Sequence, residues 1–504
     1  MPLDVDSIQY GPWRTVRYDL PVEDCALSEL SDMENARIGT GGEVEPRQGT
    51  LSYKSAAALG GTPTLNLSVE FRPDASTTEV VIAAGAVLYK YSSGWSDITG
   101  GVTVTAGNDN TFEWADANGT LVITNGVDTD AKKWTGSGNF SVLDDDARFT
   151  KGKHIAWFDN RLWIGNVNGA TGQLWYSDIA DIETWAVTSF FNFGGIIRGL
   201  VPTQNALTVH TTDGIYTLSP TGNSVNPFIP NQRTGSNQDR PLAAADGRSI
   251  VALPNDVQLM VLDDGIYEWT GGAALSKISR DLDGGYWNSI NRARLKQSFA
   301  VYNPDQNEVW FALPYGTGQT NMNHIMVWNT IRRGWHGPYL GWERNCAGLI
   351  AGKPHLGDFG GLLWDHESGD DDSGTAIASE FTTCSKGPFG ADVKVRWMQA
   401  RHYYDGKGDW NVTAVQESPD TEGATEAVSM RGVGFLLGTD SLDGPVLLTR
   451  TVGMVSTDRP LAGYATNSSM KISHNAANQN YTYRKIMMRF KPLGRFNKPK
   501  PVDN

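Results

Sequence analysis

The side chains that could do chemistry are few and scattered. Eight histidines are spread along the chain, and only His366 has carboxylates on both sides, Asp365 and Glu367. Adjacent residues of a strand or turn point in opposite directions, so these three do not converge on one metal ion. Acidic runs occur at Asp144 to Asp146 and Asp370 to Asp372, and Asp281 and Asp283 precede Gly284. A calcium loop needs six or more oxygens from a shaped turn. The segment DLDGG (Asp281 to Gly285) lacks the distal bidentate carboxylate, and all three runs read as solvated turns. The chain has no GxSxG elbow, no phosphate-cradling GxxxxGK[ST] and no HExxH. SDIADIETW (Ser177 to Trp185) lacks the glycine of a sialidase-type turn. No catalytic, metal or cofactor site is therefore expected, and the chain reads as a non-enzyme. Carboxylates and an arginine brought together from separate repeats would leave no such signature.

The elements that would position any site are strands. Of 504 residues 56 are Gly, about 11% against an average near 7%, and Trp, Tyr and Phe number 17 each. Few helical stripes accompany them, which is the composition of short strands joined by tight turns. One pattern recurs seven times between about residues 55 and 365: an apolar strand, a turn, then a strand that closes on an aromatic. The closing residues are Tyr91, Trp134, Trp175, Tyr216, Trp269, Trp328 and Trp364, spaced 36 to 59 residues apart. Propeller blades of four strands need roughly 40 to 50 residues. DGIYTL (Asp213 to Leu218), DGIYEW (Asp264 to Trp269) and GGLLWD (Gly360 to Asp365) each set a glycine turn before a strand, as hairpins do. The competing architecture is a sandwich or a set of unrelated hairpins.

These signals predict an all-β chain, a β-propeller of six or seven blades with a C-terminal antiparallel β-sandwich. The expected divisions are an N-terminal arm over 1–54, the propeller over 55–368, the sandwich over 375–495 and a flexible tail over 496–504. The polar run GDDDSG (Gly369 to Gly374) reads as the linker, and VKVRWMQARHYYDG and YTYRKIMMRFKPLG beyond it alternate with period two. Within the arm, DCALSELSDMENA (Asp24 to Ala36) reads as a short helical turn. The arm as a whole would add a strand to the propeller or pack on a neighbour.

Charge and cysteine content narrow the partners. The net charge is −14, which excludes wrapping nucleic acid by phosphate neutralisation but suits an acidic wall past which DNA slides. Cys25, Cys346 and Cys384 are odd in number and far apart in sequence, and read as ordinary thiols of a reducing compartment. No run approaches the roughly 18 apolar residues of a membrane helix, and Met1 to Gly11 lacks the regions of a signal peptide, so cytoplasmic folding without membrane insertion is expected. The C-terminal run Arg484, Lys485, Arg489, Lys491, Arg495, Lys498 and Lys500 is basic against this background. Arg489, Lys491, Arg495 and Lys498 are the candidate interface residues, facing an acidic neighbour; the alternative is a solvated strand and tail.

Three stretches resemble a known family. LSDMENARIGTGGEVEPRQGT (Leu30 to Thr50) carries an Asn…Gly…Arg-x-Gly pattern. FDNRLWIGNVNGATGQLWYSDIADIETW (Phe158 to Trp185) carries N-R-L-W followed by W-Y-S-D…E-T-W, the most specific of the three. GGIIRGLVPTQNALTVHTTDGIYTL (Gly194 to Leu218), with SFAVYNPDQNEVWFALP (Ser298 to Pro314), completes the set. They resemble the tail nozzle (tail hub, or stabilisation) proteins of podovirus-type, short-tailed phages, over roughly residues 25 to 365. The resemblance implies a virion structural protein of the tail, assembled in the host cytoplasm. It implies a homo-hexameric ring below the portal and the tail adaptor protein, which continues and gates the channel for double-stranded DNA. Tail fibres or spikes would dock on it. The family brings no catalytic residues to carry over. The alternative function is a carbohydrate-binding or glycan-cleaving propeller used in receptor recognition.

Overall fold

The computed structural model describes residues 6–54, 64–143, 150–235, 246–389, 394–407, 411–417, 428–431, 455–461, 464–475 and 480–492. The chain divides into two compact units: Thr50–Thr330 with Leu340–Glu367, and Met1–Gly49 with Ile331–Tyr339 and Ser368–Asn504. This differs from the expected divisions at the N-terminus, where the first 49 residues belong to the second of these units rather than to a separate arm.

The first unit is a seven-bladed propeller. Its blades begin with the strands Leu65–Phe71, Glu113–Asp116, His154–Phe158, Ile197–Pro202, Ile250–Ala252, Phe299–Asn303 and Arg344–Ile350. Each of these pairs with only one other strand, the second of its own blade, and lies at the inner edge of its sheet. From blade 2 to blade 7 the first strands of successive blades pack on one another, and that of blade 7 meets that of blade 1. Blade 7 takes its outermost strand, Thr50–Ser52, from the start of the unit: Ser52, Leu51 and Thr50 pair with Trp364, Asp365 and His366. Closure thus ties the first residues of the unit to the last.

The recurring aromatics mark one position in every blade. Tyr91, Trp134, Trp175, Tyr216, Trp269, Trp328 and Trp364 all lie in the third strand of their sheet. The hydrophobic clusters sit between neighbouring blades, not at a single centre. Leu67, Val69 and Phe71 of blade 1 pack with Leu121, Ile123 and Trp134 of blade 2. Leu162, Ile164 and Trp175 of blade 3 pack with Val122 of blade 2, and the blade 7 residues Cys346, Ile350 and Leu363 with Leu65, Val80 and Ile82 of blade 1. Such sheet-on-sheet burial on both faces, worth roughly 25 cal/mol per Å² of apolar surface, explains why strands such as Leu121–Thr124, Leu207–Thr211 and Gln258–Leu262 are buried along their whole length.

Local chemistry explains the N-R-L-W segment. Asp159 and Asn160 form a two-residue hairpin loop with φ of 51° and 54°, the geometry of a type I′ turn, which Asn and Asp tolerate. Arg161 donates to the Ser177 carbonyl at 2.6 Å, and its guanidinium lies 5.4 Å from the Tyr176 ring centre. Leu162 and Trp163 are fully buried, and the Trp163 indole donates to the Phe158 carbonyl at 3.1 Å. Further on, Asp181 accepts from the Glu183 amide and the Thr184 hydroxyl, which sets Trp185 into the core between blades 2 and 3.

The second unit is a sandwich. One sheet runs in the order Val455–Pro460, Val395–Lys407, Asn480–Pro492, Val44–Pro46, Ala36–Ile38, with Asp6–Tyr10 also on Asn480–Pro492 and Tyr464–Ala465 on Val395–Lys407. The other runs Thr15–Val16, Glu29–Glu34, Ser379–Thr383, Ser469–His474, Asn411–Glu417, Val428–Arg431. Pairing is antiparallel except between Thr15–Val16 and Glu29–Glu34. Phe381 of one sheet meets Tyr483 of the other at 5.5 Å, and Trp13 packs on both.

The segment expected as a short helical turn contains the strand Glu29–Glu34. A register shift between Leu30 and Asp32 lets Leu30 and Met33, three residues apart, both face the core. That bulge imitates helical spacing in the sequence.

The Asn…Arg-x-Gly pattern is a clamp inside this unit. Asn35 has φ of 48°, and its side-chain oxygen accepts from Arg47 Nε at 2.9 Å. Arg47 also grips Asp372 with two hydrogen bonds, of 2.9 and 2.6 Å. Gly49 packs against Asp371 so closely that a Cβ would lie 1.8 Å from its carbonyl oxygen. Asp372 is therefore a structural partner; the run Asp370 to Asp372 is not a plain solvated linker.

Candidate functional site

The inner strands of all seven blades line one cavity of about 290 Å³ on the propeller axis. Because each strand pairs on one side only, its inner edge presents backbone N–H and C=O groups without a ladder partner. Three side chains add distinct chemistry to the wall: Glu113, Trp114 and Arg248.

Glu113 and Trp114 open the first strand of blade 2, and Arg248 lies in the short 3₁₀ turn that leads into blade 5. Glu113 Oε1 lies 2.9 Å from His154 Nδ1 on blade 3. Arg248 donates to the Asn345 carbonyl at 2.9 Å and to the Gln297 carbonyl at 3.1 Å, so its guanidinium spans blades 5, 6 and 7. Gly247 brings these groups together: a Cβ there would stand 2.5 Å from Glu113 Oε1 and 3.0 Å from His154 Nδ1. Behind the wall, buried Asp246 pairs with Lys153 and caps the turn through its contact with the Arg248 amide. Burial opposes the charge on Asp246, but Lys153, Arg248 and His154 outweigh it and hold the carboxyl below its ordinary range. Cys346, also on the wall, is pushed up to about 12 by burial and stays a neutral thiol.

This cluster joins residues from five blades, and no motif announced it. The one sequence cue is positional, since its members fall at or just before the first strand of a blade.

Two of the predicted interface residues, Arg489 and Lys491, lie in the sandwich unit. Both belong to the strand Asn480–Pro492 and are half-buried, on the face opposite Ile486, Met488 and Phe490, which are core. Lys485 shares their face, 4.6 Å above the Tyr403 ring, and Arg489 donates to Gln399 at 3.4 Å. Across the ladder, Lys491 pairs with Arg396, which is exposed. Arg495 and Lys498 lie outside the described residues, as do the acidic run Asp144 to Asp146 and the expected tail over 496–504.

The remaining candidates have structural surroundings. His366 is buried, 4.3 Å from the Trp342 ring centre and 5.7 Å from that of Trp310. Asp283 pairs with Lys277 at 2.8 Å. No group of three or more His, Cys, Asp or Glu is placed to hold a metal among the described residues. Cys25 and Cys384, 359 positions apart, are brought into side-chain contact, and hydrogen bonding between the two thiols lowers Cys25 and raises Cys384.

No family model matches the chain, and no curated protein matches it in sequence. Solved structures do. A virginiamycin B lyase from Staphylococcus aureus, with quinupristin, matches at 10% identity and a TM-score of 0.41, over 64% of this chain and 98% of that one. An auxiliary nutrient binding protein from Bacteroides thetaiotaomicron matches at 11% identity and a TM-score of 0.37, over 64% and 75%. A gluconolactonase from Xanthomonas campestris matches at 10% identity and a TM-score of 0.32, over 63% and 96%.

Proposed function

We propose that this chain is a structural protein of a phage virion, the tail nozzle. Six copies would form a ring below the portal and adaptor that continues and gates the DNA channel, retains the genome and opens for ejection. The observation that carries this reading is the place of the residues that resemble the nozzle family. Asn35, Arg47 and Gly49 form the clamp of the sandwich unit, and Asn160 to Trp163 with Trp175 to Trp185 build the turn and core of blade 3. The likeness thus rests on residues that make the fold, as expected of an assembly protein without an active site to preserve.

The axial cavity supports a conduit between copies rather than through one. A cavity of about 290 Å³ is too small to hold a DNA duplex, whose major groove alone is about 12 Å wide, so a duplex must pass elsewhere. A ring of chains with net charge −14 would surround DNA with like charge and offer phosphates few places to stick. The face bearing Arg396, Lys485, Arg489 and Lys491 is the proposed contact with an acidic surface of the next copy. Light scattering of the chain mixed with its adaptor tests both ideas. The reading requires six copies per adaptor ring, and Arg489→Glu with Lys491→Glu should lower that number while leaving the monomer folded. A chain that never joins the adaptor refutes the nozzle; full assembly of the charge-reversed variant refutes only the contact.

A further inference from the structure

The axial cavity has features that a nozzle does not use. Trp114 is 42% exposed on its wall, the one tryptophan so exposed among the described residues. Trp114 borders this half-open cavity, and an exposed indole there offers an apolar surface for stacking. Glu113 precedes it on the same strand and leaves the opposite face, yet both border the cavity because this edge strand has no neighbour on its inner side. Glu113 Oε1 lies on His154, which leaves Oε2 for a ligand. Arg248, held by Asn345 and Gln297, supplies a fixed cation on the same wall. The inner edges of seven strands add backbone donors and acceptors around the axis.

We propose that this cavity binds one neutral pyranose ring, with the apolar face of the sugar on Trp114 and its hydroxyls on Glu113, Arg248 and the strand edges. Three arguments select this class. A wall of mixed donors and acceptors matches hydroxyls, each of which both donates and accepts. An anionic ligand meets Glu113 and a cationic one meets Arg248, so a neutral molecule avoids both repulsions. The volume, about 290 Å³, lies at the low end of ligand pockets, which start near 300 Å³, and so fits a single ring rather than a chain. Glu113 and Arg248 are held by contacts across five blades, so little ordering cost falls on binding.

Methyl glycosides of glucose, galactose, mannose and N-acetylglucosamine, screened by saturation-transfer NMR and titration calorimetry against the full chain, test the proposal. At least one should bind with a millimolar Kd. Trp114→Ala should weaken it by about tenfold or more. Ala347→Phe, which fills the cavity from blade 7 and leaves every polar group in place, should abolish binding with the circular dichroism spectrum unchanged. Silence of all four sugars overturns the proposal and assigns the cavity to water. So does binding that survives both substitutions, which would put the sugar elsewhere. Neither result touches ring assembly.

Discussion

Replacing Arg47 with methionine should cost the sandwich unit about 3 kcal/mol. The side chain is 2% exposed, and its hydrogen bonds include Nε to Asn35, Nη1 to the Gln48 carbonyl and to Asp372, and Nη2 to Asp372. Removing one partner of a buried ion pair typically costs about 3–5 kcal/mol, because the other charge is left unpaired. Asp372 is 24% exposed and regains some hydration, which places the loss at the lower end. In a unit of this size each kcal/mol moves the midpoint by about 2–4 °C, so a fall of about 6–12 °C is expected in calorimetry. Adding Asp372→Asn should restore part of the loss, since the orphaned charge is gone, and the double-mutant cycle should give coupling of about 1 kcal/mol or more. A drop under about 1 kcal/mol, or strict additivity, would refute the claim that this clamp holds the unit together.

Three other expectations follow from single contacts. His210 is fully buried with Nε2 2.7 Å from Gln258 Oε1 between blades 4 and 5, and burial lowers its pKa from 6.5 to about 4. The unfolded chain therefore holds the extra proton between those values, and stability should fall by about 3 kcal/mol as pH drops through the window; His210→Gln should flatten that limb in urea melts. Lys132 and Asp128 form a 2.7 Å ion pair with each side chain 3% exposed. Lys132→Met should cost about 3–5 kcal/mol by thermal melting and Lys132→Met with Asp128→Asn much less; equal losses would contradict the pairing argument. Gly49→Ala places a methyl 1.8 Å from the Asp371 carbonyl oxygen, so backbone must move at a cost of about 2 kcal/mol or more, and an unchanged midpoint would show that the loop yields freely.

The propeller was legible because its strands pair locally. Hairpins such as Phe158 with Arg161, Thr211 with Gly214 and Leu262 with Gly265 lie a few residues apart, so turn chemistry and the closing aromatics leave a repeated imprint. The sandwich was legible only in its long strands. Leu30 pairs with Thr383 and Asp6 with Phe490, contacts that no window of sequence contains. The strand Thr15–Val16 is too short to show a period, and the bulge at Leu30 disguises another as helical. The cavity failed for a different reason. Glu113 and Arg248 each look like an ordinary surface residue, and only ring closure brings them to one axis. The meeting of Cys25 with Cys384 is equally a product of long-range pairing.

The most direct test of the nozzle reading is negative-stain imaging of the purified chain, alone and with its adaptor. Six-fold rings with a central opening wide enough for duplex DNA are the predicted result. A strict monomer that never joins the adaptor would contradict the reading.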